Sequence, residues 1–218
     1  MKEKPIDNTT RLRLLKNAEI LFAEKGFHAV SVREITKAAK CNLAAVNYHF
    51  GGKMNLYLEV FRSRWVPRAR RIHHSFEEAL QGQESPLIDD VVSALAHAFL
   101  EGPLTDEERR CHSQLMYREL ANPTGALDLL AENVMQPFFM KLRNLLRPHL
   151  PEAIGDDRLL LSIISIIAVV IHFNFSREAV SRLTGRTYDS AFKARLVEHI
   201  TEFSLKGLDG MNQQEQQA

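Results

Sequence analysis

Disulfide chemistry is the first thing this sequence lacks. Two cysteines, Cys41 and Cys111, stand in 218 residues, too few for a disulfide framework, which favours a reducing compartment. The start, Met1–Thr10, is polar, so no secretory signal is expected. The longest apolar run, Leu159–Phe175, is broken by Ser162, Ser165, His172 and Asn174 and is shorter than the roughly 20 apolar residues of a membrane span. A buried helix, a cytoplasmic protein and no membrane partner are therefore expected. No stretch alternates apolar and polar residues with a period of two, so strands are not expected. Missing too are a phosphate-binding glycine loop, a nucleophile elbow and a two-histidine helix motif with a catalytic Glu, so neither an enzyme nor a cofactor is expected. Cys111-His112, His97 and His172 have no closed metal-site spacing such as Cys-x-x-Cys, so no metal is expected.

What is present is ordinary in bulk and uneven in place. Hydrophobic residues make up 45% and charged residues 25%, as in a soluble globular chain that can bury a core. The net charge of +1 hides a division. Residues 1–53 hold ten Lys/Arg and five Asp/Glu, while the rest holds 18 and 22. A basic head on an acidic body suits a protein whose head alone meets phosphate.

Proline and glycine fall between helical periodicities, at Gly26, Gly51-Gly52, Gly82–Pro86, Gly102-Pro103, Asn122–Gly125, Pro148–Gly155 and Gly185. About nine helical segments follow, with a Gln-rich tail from Gly207 expected to fray. In Thr10–Lys25, Leu14, Leu15, Ala18, Leu21 and Phe22 form one apolar stripe. Gly26 suits a left-handed helix end, with Phe27 folding back onto the last turn. Ser31-Val32-Arg33-Glu34 reads as a capping box opening a second helix with inner positions Val32, Ile35, Ala38 and Ala39. After Lys40, Cys41 and Asn42, with Asn42 as N-cap, a third helix Leu43–Phe50 turns Val46 and Phe50 inward. Two short helices joined by a tight turn behind a packing helix form a helix-turn-helix.

Opposite Val46 and Phe50 lie Ala44, Ala45, Asn47, Tyr48 and His49. Small residues let a helix approach groove walls. Asn47 can pair with a base edge or a phosphate, and Tyr48 can donate to a phosphate or lay its ring on a thymine methyl. Gly51-Gly52-Lys53 adds a cation and free amides.

The stretches Leu21–Ile35 (LFAEKGFHAVSVREI) and Val46–Lys53 (VNYHFGGK) resemble the DNA-binding domain of the tetracycline-repressor (TetR) family, the likeness running over Thr10–Val60. The resemblance implies an all-α protein: a three-helix helix-turn-helix domain, residues 1–53, then a helical effector-binding and dimerisation domain, residues 54–218. It implies DNA contacts from Ser31, Arg33, Asn42, Ala45, Asn47, Tyr48, His49 and Lys53. Two positions depart from the pattern. Lys40 stands at the usual turn glycine, so the turn is expected to take a conformation an ordinary residue tolerates. Asn47 stands at the usual aromatic, with Tyr48 one later. The implied function is a ligand-responsive regulator, a repressor, that binds a palindromic double-stranded operator as a homodimer and is released by a small-molecule effector.

In the body, Lys53–Ala69 reads as a linker helix with Leu56, Tyr57, Val60 and Phe61 inward. Arg68-Ala69-Arg70-Arg71 reads as a solvated flank, with a brush against DNA the alternative. Asp157–Phe175 is apolar on two faces, Leu160, Ile163, Ile164, Ile167, Ala168 and Ile171 on one and Leu161, Ile166, Val169 and Val170 on the other. Such a helix needs its own core on one side and a second subunit on the other. With Tyr188–Lys206, striped by Tyr188, Phe192, Leu196, Ile200 and Phe203, it is the expected dimer interface. An effector pocket is expected among Phe99, Leu115, Met116, Phe138, Phe139 and Phe173. His97, His112, Tyr117, Arg118, His172 and Asn174 would be its polar groups, and His97, His112, Tyr117, Arg118, Phe138 and His172 the candidate contacts.

Overall fold

The computed structural model describes residues 8–151 and 154–215, and among these no strand occurs. The helices are α1 (Asn8–Lys25), α2 (Val32–Ala38), α3 (Ala44–Phe50), α4 (Lys53–Val60), α5 (Val66–Ala79), α6 (Ile88–Leu100), α7 (Asp106–Ala121), α8 (Gly125–Leu130), α9 (Gln136–Leu146), α10 (Asp156–Phe175), α11 (Arg177–Thr184) and α12 (Ser190–Glu215). Turns of π-helix, Phe61–Trp65 and Ala131–Met135, join α4 to α5 and α8 to α9 without a break. The described helices therefore make ten continuous rods, one more than the nine or so expected from the sequence. The extra break falls at Ser176, which has no breaker signal. The last helix passes the expected end at Lys206 and reaches Glu215.

The chain folds as two compact units. The first holds the residues up to Ala69 together with Thr105–Asn133. Its core takes Leu14, Ala18 and Phe22 from α1, Ile35 from α2, Val46 from α3 and Leu56, Tyr57 and Val60 from α4. Tyr57 is the hub: its ring meets Phe22 edge-on at 4.9 Å and lies 5.1 Å from Phe61. From α7 comes a fully buried carboxylate, Glu119. It accepts from the Tyr57 hydroxyl at 2.8 Å, the Thr124 hydroxyl at 2.9 Å and the Leu127 amide at 3.0 Å. A buried charge is tolerated only with such partners, and the N-terminal amides of α8 favour the anion further. Burial and the Glu119 carboxylate push the Tyr57 phenol well above its ordinary pKa.

The second unit holds Arg70–Leu104 and the chain from Val134 onward. Its core interleaves Val91 and Leu95 of α6, Phe138 and Leu142 of α9, Leu159, Ile163, Ile166 and Val170 of α10, and Leu196 and Ile200 of α12. Gly102 allows the chain to leave α6 tightly, since a Cβ there would stand 1.9 Å from the Ala98 carbonyl oxygen. The compact units thus do not divide at 53/54, where the functional boundary between head and body is expected. Helices α4, α7 and α8 share one core with the head, because Tyr57 and Glu119 tie them together.

Candidate nucleic-acid interface

The capping box forms as its sequence predicts. The Ser31 hydroxyl accepts from the Glu34 amide at 3.2 Å, and the Glu34 carboxylate accepts from the Ser31 amide at 2.8 Å. The Ser31 amide, then Lys25, hold the Glu34 carboxyl at about 2. This fixes the start of α2 and leaves Arg33, in its first turn, exposed to solvent. The inner face of α2 differs from expectation. Thr36, its hydroxyl bonded back to the Val32 carbonyl at 3.0 Å, is buried, whereas Ala38 is exposed.

The turn also overturns an expectation. Lys40 has φ of 51°, the left-handed conformation, and is the one non-glycine residue with positive φ among those described. The lysine bears this conformation at a cost of roughly 1–2 kcal/mol. Compensation comes from the next residue, whose amide donates to the Thr36 carbonyl at 3.0 Å. Cys41 is half-buried there, and burial pushes its thiol pKa up, away from a reactive thiolate.

Helix α3 begins at Ala44, one residue later than expected, and Asn42 caps it by accepting from the Ala44 amide at 3.0 Å. Val46 is fully buried while Asn42, Leu43, Ala44, Asn47 and Tyr48 are exposed. Ala45 and His49 are half-buried, and the His49 ring meets Tyr48 edge-on at 4.9 Å. Gly51, with φ of 74°, ends the helix. Lys53, the first residue of α4, lays its ammonium 4.4 Å from the Phe27 ring centre. Burial lowers its pKa, with Glu34 opposing.

Residues 14–60, the helices just described, match the pattern of bacterial regulatory proteins of the tetR family. Residues 88–208, more than half the chain, match the C-terminal domain of the HTH-type transcriptional dual regulator CecR. The chain belongs to the TetR family. One relative is the dual regulator CecR of Shigella flexneri, 28% identical over 192 residues that cover 85% of this chain and 84% of that protein. A second is the probable HTH-type regulator YttP of Bacillus subtilis, 44% identical over 48 residues, covering 22% of this chain and 23% of that protein. Among solved structures, a TetR-like regulator from Rhodococcus superposes with a TM-score of 0.64 at 14% identity, covering 96% of this chain and all of that one. The FadR regulator of Bacillus halodurans gives 0.60 at 18%, covering 95% and 98%. This TetR-family chain is thus an all-α DNA-binding transcriptional regulator.

Of the six expected effector contacts, His112, Tyr117 and Arg118 belong to the first unit and His97, Phe138 and His172 to the second. Tyr117 is exposed, and His97 is an exposed partner of Glu101 at 3.0 Å. Arg118 is engaged elsewhere: its Nε donates to the Ala23 carbonyl at 2.8 Å and its Nη2 to the Glu24 carbonyl, so it caps the end of α1. Local sequence gave no sign of this, because the two carbonyls lie 95 and 94 residues away. His112 is buried and stacked on Trp65 at 4.2 Å. Phe138 is buried under His73 at 3.8 Å, where burial pushes the imidazole down to about 4. His172 is exposed on α10. Asn174 is buried and accepts from Arg177 at 3.1 Å. Sequence reasoning missed three buried polar atoms with no hydrogen-bond partner in the first unit: Arg64 Nε, Ser113 Oγ and Gln114 Oε1. Of the expected solvated flank, Arg70 and Arg71 are exposed, whereas Arg68 pairs with Glu19 and, at 3.5 Å, with Glu108. No group of three or more metal-ligating side chains is assembled among the described residues.

The core face of α10 is Leu159, Ile163, Ile166 and Val170, out of phase with the stripe the sequence suggests. Leu160, Leu161 and Ile164 are exposed instead, as is Phe203 of α12. Beside them runs an apolar groove lined by Ala168, Val169, His172, Phe173, His199 and Phe203. By length and composition alone α10 could cross a membrane.

Proposed function

We propose that this TetR-family protein is a cytoplasmic repressor that binds a palindromic double-stranded operator as a homodimer and is released by a small-molecule effector. The observation that carries the reading is the bare apolar face of α10 and α12, with Leu161 63% and Phe203 60% exposed. Exposed apolar residues clustered on adjoining helices mark an interface, and a two-fold dimer is the default. Because each chain has a single α3, a two-fold dimer presents two of them, which calls for an inverted repeat with half-sites about one turn apart, roughly 34–36 Å. The same face gives α10 a partner that is not lipid. In the head, Arg33 and Asn47 read bases, and Lys53, Tyr48 and the α3–α4 amides hold phosphate. The half-buried Ala45 and His49 let the helix approach closely. Ser31 and Asn42 act through their caps, which set the entry of α2 and α3.

Support for the effector comes from the Arg64, Ser113 and Gln114 atoms of the first unit, each buried without a partner, because such groups call for a ligand or water. His112 lies on the same helix, α7. The relative with the matching C-terminal domain is a dual regulator, which supports activation at some promoters beside repression at others.

The test is light scattering and DNA footprinting of the native chain beside Leu161→Glu and Phe203→Glu. The native protein should be a dimer protecting a symmetric site, and each variant a monomer that has lost it. A native monomer protecting one asymmetric half-site would overturn the proposal.

A further inference from the structure

Leu43 is an apolar side chain that the core leaves half in solvent. It is 51% exposed, on the most basic part of the chain, directly before α3. It does not cap the helix, because Asn42 does. Single exposed leucines are common and mean nothing alone. This one is not alone: Ala44 and Tyr48 are exposed beside it, Tyr48 by 68%.

Leu43 stands one turn before Asn47 on the same helix face, and Ala44 one turn before Tyr48. The first residues of a recognition helix are those that reach base edges in the major groove. A leucine there can neither donate nor accept a hydrogen bond. The one apolar group on the major-groove edges of DNA is the thymine C5-methyl. Four residues of helix rise about 6 Å, against about 3.4 Å per base pair, so Leu43 covers a base pair one or two steps from that read by Asn47.

We infer that Leu43 is a specificity-determining residue that selects thymine by burying its C5-methyl. This rests on α3 being the recognition helix. Placing a polar edge against Leu43 instead, such as the cytosine amino group, strips that group of water without a partner.

The probe is the duplex that the native full-length chain selects from a random pool, with each thymine replaced in turn by deoxyuridine, which lacks only the methyl. One thymine per half-site, one or two base pairs from the position that loses preference in Asn47→Ala, should show about fourfold weaker native binding when replaced, the worth of one buried methyl. Leu43→Ala should bind the thymine and deoxyuridine duplexes equally, and Leu43→Met, which keeps the apolar contact, should retain the difference. A methyl effect that persists in Leu43→Ala, or a selected site with no methyl-sensitive thymine there, overturns the inference alone. A native chain that selects no sequence overturns both it and the recognition-helix reading.

Discussion

Replacing Lys40 by glycine should stabilise the DNA-binding unit. Lys40 is exposed and holds φ at 51°, a conformation that costs an L-residue roughly 1–2 kcal/mol through the close approach of Cβ to the following carbonyl oxygen. Glycine removes that term. It also enlarges the freedom of the unfolded chain, which takes back roughly 0.5–1 kcal/mol. The net gain is about 0.5–1 kcal/mol. In a unit of roughly a hundred residues this raises the midpoint by a few degrees. Trp65 is the reporter: it is the single tryptophan of the chain, buried in this unit with its indole donating to the His112 carbonyl at 3.0 Å. Urea denaturation followed by its fluorescence should show Lys40→Gly shifted upward with the same slope. Lys40→Ala, which removes the charge and keeps the Cβ, should not shift upward. A destabilised glycine variant, or an alanine variant that gains as much, would refute the reasoning from backbone strain.

Lys53→Ala should weaken binding to all DNA sequences alike and reduce the salt dependence by about one charge. Asn47→Ala should relax one base-pair preference by about 1–3 kcal/mol in a competition titration. The two assignments fail if the effects are exchanged. His73, pushed down to about 4 by burial, binds its proton in the unfolded chain at about 6.5. Between these values the unfolded state holds more protons, so stability is full above about pH 7 and is lost as pH falls toward 4, by about 3 kcal/mol at most. Hydrogen exchange in the second unit should show this loss in the native chain and a flatter profile in His73→Phe. Equal profiles would place the acid sensitivity elsewhere.

Local signals survived the passage from sequence to structure. The Ser31–Glu34 box, Gly26 and the inward Leu56, Tyr57, Val60 and Phe61 each depend on a few neighbouring residues, so spacing alone reveals them. The core phase of α10 was not legible, because apolar residues on both faces give a periodicity without a direction. Its core residues are instead chosen by α6, α9 and α12. Long-range polar partners were equally hidden. Arg118 reads as a pocket arginine until the Ala23 and Glu24 carbonyls lie beneath it, and Arg68 as a surface charge until Glu19 closes on it. Lys40 misled for the opposite reason. Propensity speaks against a left-handed lysine, but the packing of α2 against α3 and the Cys41–Thr36 backbone bond impose it.

Two copies of the chain, joined as proposed through α10 and α12, would read DNA with two α3 helices. Sequencing the duplexes that the native protein retains from a random pool should then give an inverted repeat whose half-sites are centred about one helical turn apart. Enrichment of a single asymmetric motif, or of none, would contradict it.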